Sequence, residues 1–490
     1  MSFLHKNIAV VFVFLVPGVL AWLYGGCVNS VVRPVLPWLV AFMVEIGLCF
    51  PQKHEGETTS EARCRVWKGV SRDPLTWVSV AFLALMCVPF SNVGFTPPVK
   101  IIPYCIEPEW HYNVLQWFLA ALPTAVIARH ALTRSGKRLL VEMLIWNSVA
   151  LAVLGFVQLI AEAPGPLWAD NSKNPTFFFS TFGYPNMAGD YFAVMFCLSV
   201  AQWRSKVDYV RREIEQTRQK GRIPRHKLFW MKNYYFIPMA INFFAAVNTL
   251  SRAAIMLVSV SAVLLFAHAM VVSLARLSKA ERVKAGAFHA LIVMSIAIAV
   301  ALFMPDGVHR EMKTVDSRGT LDRVTGRGEN HTTMATQIWR EHLLFGCGGW
   351  GYARICDEMI PAGTYRSPGS AHVHNDHLQF LAEHGLVGYG LLVAAVVLLM
   401  LPVGRSWITL SKGVRFLPVK RQPPPPQSFF ALPGAAFAAL VAAAIPLVHA
   451  FGDCPLRSPA ILTLFYAALA CIPGYLPREQ DKENTSSEEH

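Results

Sequence analysis

Ala371-His372-Val373-His374-Asn375-Asp376-His377-Leu378, followed by Glu383-His384-Gly385 and then Leu391-Leu392-Val393-Ala394-Ala395, is the stretch on which the reading turns. Three histidines, an Asn and an Asp stand directly before a long apolar run. Asn or Asp in that place reads as a helix N-cap, whose side chain accepts from the first unpaired N–H groups of the helix. The run is long enough to cross a bilayer. Imidazoles are therefore expected at the mouth of a membrane helix, at the water boundary, and imidazole is the side chain best suited to take a proton near neutral pH. Interfacial caps with wet polar tips are the bland reading, and the His-x-His-Asn pattern after a long polar loop favours function over it.

The rest of the chain has the composition this requires. Of 490 residues 54% are hydrophobic and 15% charged, against about 25% charged in a soluble protein, and the mean hydropathy is +0.38. Twelve apolar runs stand out, at roughly 8–24, 33–50, 73–90, 113–130, 138–160, 186–203, 233–250, 252–273, 284–303, 377–401, 429–448 and 457–475. The expectation is an all-α polytopic integral membrane protein of about 12 transmembrane helices. Residues 1–303 would hold helices one to nine, 304–376 one large outer loop, 377–476 helices ten to twelve, and 477–490 a disordered tail. The first run lacks an A-x-A cleavage site and is expected to be retained. The net charge of +13 raises nucleic acid as a partner, but the basic residues are placed otherwise. With the N-terminus inside, 31 of 44 Lys and Arg fall on inner segments, as the positive-inside rule requires, so both termini are expected to be cytoplasmic. The ten cysteines form no CxxC pair. Cys347 and Cys356, both in the outer loop, could form a disulfide or remain two packed thiols.

The suggestive polar residues gather on the outer side. His372, His374, Asn375 and Asp376 open the tenth span, Arg252 the eighth, Asn186 the sixth and Arg33 the second. Arg318, Arg323 and Arg327 lie in the long loop, and His449, Asp453 and Arg457 between the last two spans. Arg252, among apolar neighbours, either snorkels or faces a cavity. Arg donors bind phosphate as a fork, and a helix N-terminus adds N–H groups for an anion. Arg donors beside a His base suit transfer from a lipid diphosphate: the leaving group needs positive charge more than a proton, and the attacking hydroxyl needs a base. No outer Asp-x-Asp pair is present, so no metal and no cofactor are expected.

Four segments resemble the O-antigen ligase/polymerase superfamily of bacterial envelope glycan enzymes. They are Thr181-Phe182-Gly183-Tyr184-Pro185-Asn186-Met187-Ala188; Ser251-Arg252-Ala253-Ala254; Gly326-Arg327 followed by an amphipathic helix and Gly346-Cys347-Gly348; and His372-Val373-His374-Asn375-Asp376-His377-Leu378 with Glu383-His384-Gly385. The resemblance implies a twelve-helix ligase with a large periplasmic loop, seated in the bacterial inner membrane with a periplasmic active site. The donor it implies is an undecaprenyl-diphosphate-linked glycan, and the acceptor hydroxyl belongs to lipid A–core or a growing polysaccharide. It carries over His374 as the acceptor-activating base, with Arg252 and Arg327 binding the diphosphate. Glu329-Asn330-His331 replaces a family aromatic after the loop Arg, so Arg323 and Arg318 stay as alternatives to Arg327. His372, Asn375, Asn186, Arg33 and Asp453 are expected to touch substrate. A polymerase, a protein O-oligosaccharyltransferase and, in another class, a lipid-linked glycan transporter are the alternatives. A transporter should carry its polar groups at midspan, where this chain has chiefly Glu45 and Glu142.

Overall fold

The computed structural model describes residues 3–23, 33–96, 99, 102–169, 178–217, 233–274, 320–359, 372–411 and 431–477. Side chains at 3–5, 211–217, 273–274, 320–330 and 359 are outside that description. The ninth expected span, the tail from 478 and Arg318 also lie outside it.

Among the described residues the fold is all helical, with isolated bridges in place of strands. Fourteen α-helices run α1 (Phe3–Trp22), α2 (Leu36–Cys49), α3 (Thr59–Arg72), α4 (Pro74–Cys87), α5 (Pro108–His130), α6 (Arg134–Ile160), α7 (Pro185–Thr217), α8 (Phe236–Asn248), α9 (Arg252–Leu274), α10 (Thr320–Glu341), α11 (Gly351–Met359), α12 (Asp376–Ser411), α13 (Gly434–His449) and α14 (Pro459–Cys471). A helix stands at every expected span that falls within the described residues. Four helical segments (Pro74–Ser91, Arg134–Ile160, Arg252–Val272 and Asp376–Ser411) are long and apolar enough to cross a membrane, and five shorter apolar helices accompany them.

Burial sorts these helices into layers. All thirteen residues of α14 are buried, and α5 buries polar His111, Asn113, Gln116 and Thr124 along with its apolar side chains. Helices buried on every side form the axis of a bundle. Around them α13 packs on α7, α7 on α8, α12 on α4, and α1 on α6 and α2. The outward faces carry exposed Trp38, Phe42, Trp77, Val263 and Val397, a surface suited to lipid.

Two elements depart from the sequence reading. Helix α3 is amphipathic and starts with a full capping box between Thr58 and Glu61. The segment reads as polar loop because most of its residues are charged or small. Helix α7 continues past its expected end near 203 to Thr217, since the basic segment that follows is itself helix-permissive.

Helix α12 is broken. Gly385 takes φ 63°, ψ −174° inside it, a backbone open to glycine and closed to side chains. The turn after α10 fills the break. Cys347 N–H donates to Ala382 O at 3.0 Å and Gly348 N–H to Glu383 O at 2.9 Å. Leu386 N–H returns a bond to Leu343 O at 2.9 Å, and Val387 N–H one to Leu344 O at 3.0 Å. Gly346, at φ +70°, passes against the Glu383 carbonyl where a Cβ would collide. The two glycine motifs of the sequence are thus two halves of one joint. His111 fastens the turn to α5: it accepts from Gly349 N–H at 2.8 Å through Nδ1, so the proton on Nε2 goes to Met86 O, also at 2.8 Å.

Candidate active site

The break in α12 leaves a short helix, Asp376 to His384, whose N-terminus faces the end of α13 and the following loop. Asn375 Oδ1 accepts from Leu378 N–H at 3.0 Å, the cap expected from sequence, so that oxygen serves the helix. Asp376 N–H donates to Ala450 O at 2.9 Å, and Asp376 Oδ2 accepts from Leu456 N–H at 2.7 Å. These bonds lock the 450–458 loop to the start of α12.

His374 sits one residue before the cap at φ +54°. A left-handed non-glycine residue costs on the order of 1–3 kcal/mol and persists only where its surroundings fix it. Here the ring is fixed by Asp453: His374 Nδ1 lies 3.1 Å from Asp453 Oδ1. The His374 side chain is 37% exposed and that of Asp453 5%, so the ring reaches open space and its anchor does not. With Nδ1–H given to the carboxylate, Nε2 is left as the proton acceptor.

Asp453 is enclosed rather than presented to a ligand. Tyr184 O–H donates to it at 3.0 and 3.2 Å, Asn186 Nδ2 donates to Oδ2, and the Cys454 N–H donates to Oδ1 at 2.9 Å. Burial alone would raise its pKa, but the His374 bond and the charge of His449 outweigh it and hold the carboxyl well below the usual range. Asp453 and Asn186, both expected to touch substrate, are bonded to one another here, and Asp453 also to His374. Burial pushes the Tyr184 hydroxyl well up, with Asp453 adding to the effect, so it stays protonated as a donor.

Sequence reasoning missed Asp190. It lies fully buried one turn into α7 and faces His449 Nδ1 at 2.9 Å. The signal was available: one acid interrupts the apolar run from Met187 to Val200.

The remaining residues divide. His372 is turned against Trp350, ring centroids 5.2 Å apart; burial and then the Arg457 charge push it down to about 3. Arg252 opens α9, and its neighbours Ser251 and Ala254 pack on Gly189, beside Asp190. That brings the N-terminus of α9 next to the site. Arg323 and Arg327 lie on α10, which begins at Thr320 and so takes in the residues before the amphipathic helix expected after Arg327. Arg33 is drawn off to an exposed pair with Glu109 at 2.8 Å. His377, between Tyr389 and the Leu447 carbonyl, braces α12 against α13. Arg457 is buried in a fork on Glu383, at 2.6 and 3.2 Å, with Trp117, Trp350 and Phe380 around its guanidinium.

Cys347 and Cys356 are two buried free thiols. Cys347 is held in the joint with α12 and Cys356 is engaged with Tyr352, so the disulfide is not formed. Among the described residues, His374, Asp453 and Cys454 bring ligand atoms within 4.8 Å of one another. The Cys454 thiol donates to Asp453 Oδ1 at 3.4 Å. Burial, and next the Asp453 charge, push that thiol well up.

The arrangement can hold a neutral imidazole with its basic nitrogen outward, next to the N-terminus of α9. No curated protein matches the chain. Residues 237–393 match the family model described as O-antigen ligase. The match takes in Arg252, Arg323, Arg327, His372, His374 and Asn375, while Asn186, Asp190 and Asp453 fall outside it. This match supports the O-antigen ligase superfamily, which the four sequence segments resemble.

Proposed function

We propose that the protein is an O-antigen ligase-like glycosyltransferase that moves a glycan from an undecaprenyl-diphosphate donor to an acceptor hydroxyl of lipid A–core. The observation that carries this reading is His374, whose partly exposed ring is anchored at Nδ1 by Asp453. In the reaction the acceptor oxygen attacks the anomeric carbon, its proton passes to His374 Nε2, and the bond from that carbon to the diphosphate oxygen breaks. Undecaprenyl diphosphate leaves with the electron pair. Arg252 and Arg327 bind the diphosphate and offset its developing charge. Asp453 keeps the ring in the right tautomer and stabilises the imidazolium that forms. No metal takes part. In this reading both termini are cytoplasmic, and the loop 304–376 and the site face the periplasm of the inner membrane.

The test is transfer by the purified protein in nanodiscs, with a lipid-diphosphate-linked glycan and lipid A–core, in EDTA and in Mg²⁺. Product in both conditions, lost in His374→Ala, is the expected result. Elongated donor in place of glycosylated lipid A–core would mean a polymerase. Loss in EDTA reversed by Mg²⁺ would sink the metal-free chemistry.

A further inference from the structure

Behind His374 and Asp453 lies a second histidine between two carboxylates. His449 Nδ1 is 2.9 Å from Asp190 Oδ1, and His449 Nε2 is 3.8 Å from Asp453 Oδ2, the first a hydrogen bond and the second an ion-pair distance. All three side chains are at most 5% exposed. A neutral imidazole has one N–H and one bare lone pair. In this cage a neutral ring would aim its lone pair at one carboxylate or the other. A ring protonated on both nitrogens donates to Asp190 through Nδ1 and stands at ion-pair distance from Asp453 at Nε2, where it makes no hydrogen bond.

The surroundings favour the cation further. His449 is the last residue of α13, and a helix C-terminus stabilises positive charge within its last turn. Its backbone carbonyl accepts from the Gly452 and Asp453 N–H groups, which close the loop back on the helix end and hold Asp453 beside the ring. The charged groups facing it are Asp190 from α7, Asp453 from the loop and Asp376 from α12. An uncompensated buried carboxylate is far more costly than a paired one.

We propose that His449 is held as an imidazolium between Asp190 and Asp453 and acts as a positioning cation, keeping Asp453 ionised and turned toward His374. With one positive and two negative charges, the buried trio carries a net charge of −1. A proton taken up by His374 neutralises that charge, so the network is matched to the protonated base rather than the resting one. This rests on the reading of His374 as the base.

The experiment uses the full chain in nanodiscs, with ring-¹⁵N histidine. The expected spectrum shows one histidine with two protonated ring nitrogens at pH 8, assigned to His449 by its loss in His449→Gln and returned to neutral by Asp190→Asn. A His449 ring with one bare nitrogen at pH 8 overturns the proposal, whatever the enzyme transfers. In the transfer assay, His449→Gln and Asp190→Asn should each lower kcat at least about tenfold with donor KM little changed, and Asp190→Glu should recover part of it. Unchanged kcat in both, in protein that melts as wild type does, also overturns it. If His374→Ala transfers normally, the base assignment falls, and the charge on His449 is still decided by the spectrum.

Discussion

The two ends of the bundle use the same helices and opposite chemistry. At the end holding the start of α4 and the close of α5, Asp73 is ion-paired with Arg129 Nε at 2.8 Å and accepts from His130 Nε2 at 2.7 Å and Leu75 N–H at 3.0 Å. Arg65 forks onto Glu57 and also donates to the carbonyls of Gln52 and His130. Lys137 Nζ donates to Arg129 O at 3.0 Å. At the other end stand His374 and Asp453, and buried polar atoms there lack partners among the described residues: His372 Nδ1, Asp376 Oδ1, Asp190 Oδ2, His449 Nε2 and Arg457 Nε. None of the charged groups just named at the first end is in that state. A buried polar atom without a partner costs about 1–3 kcal/mol. The charged groups named at the first end are all partnered, while the other end keeps unsatisfied charged groups and a strained His374. Chains tolerate such departures where function requires them.

The comparison fails if the first end governs rate or the second only stability. The largest effect should come from His374→Ala, with transfer lower by about 10² to 10⁴ and the melting temperature nearly unchanged. His372→Ala should lose far less. Normal turnover in His374→Ala would remove the base and with it the contrast. Next in size is Arg457→Met, which sharpens the contrast by placing a structural pair beside the site. It leaves Glu383 buried and unpaired, and breaking such a pair costs about 3–5 kcal/mol. The expected result is a steep fall in thermal stability. A melt within a degree of wild type would show that the Glu383 carboxylate does not need its partner.

Much of this was legible in the sequence, for reasons that can be named. The helices at the expected positions follow from apolar length alone. The Asn375 cap follows from an Asn directly before a run, and His374 from its place beside that cap. What the sequence concealed is what distant segments do to one another. Gly346 and Gly385 are visible as glycines, but their joint is made by four backbone bonds between segments 40 residues apart, which leave no side-chain trace. Asp453 looks like a loop acid free to meet substrate, and only the closure of α7 against the 450–458 loop encloses it with Tyr184 and Asn186. Asp190 hides in an apolar run because its partner, His449, is 259 residues away.

At the satisfied end, Asp73→Asn should cost about 1–3 kcal/mol by weakening the bonds of Arg129 and His130. Transfer, measured below the melt, should stay within about twofold of wild type. A large loss of kcat in stable protein would mean that this end is coupled to the chemistry.

The smallest effects separate the two ends by pH. At the first end the Arg65 bond holds the Glu57 carboxyl below its ordinary range, with burial opposing. A depressed carboxylate adds stability that is present above its unfolded value, about 4.3, and is lost as pH falls through the folded one. At the site end His372 is pushed down to about 3, by burial first and then by Arg457. It is neutral when folded, while the unfolded ring binds a proton below about 6.5. Stability must therefore fall as pH drops from about 6.5 toward 3, because the unfolded state then binds more protons. Glu57→Gln should flatten the stability curve only below about pH 4.3, and His372→Gln should flatten it between that point and about 6.5. Because His372 stays neutral from pH 5.5 to 8, it does not titrate where rate is measured, and the acid limb of the transfer rate should survive in His372→Gln. If that limb disappears with His372, the proton that limits transfer is on His372, and the division of roles between the two histidines is reversed.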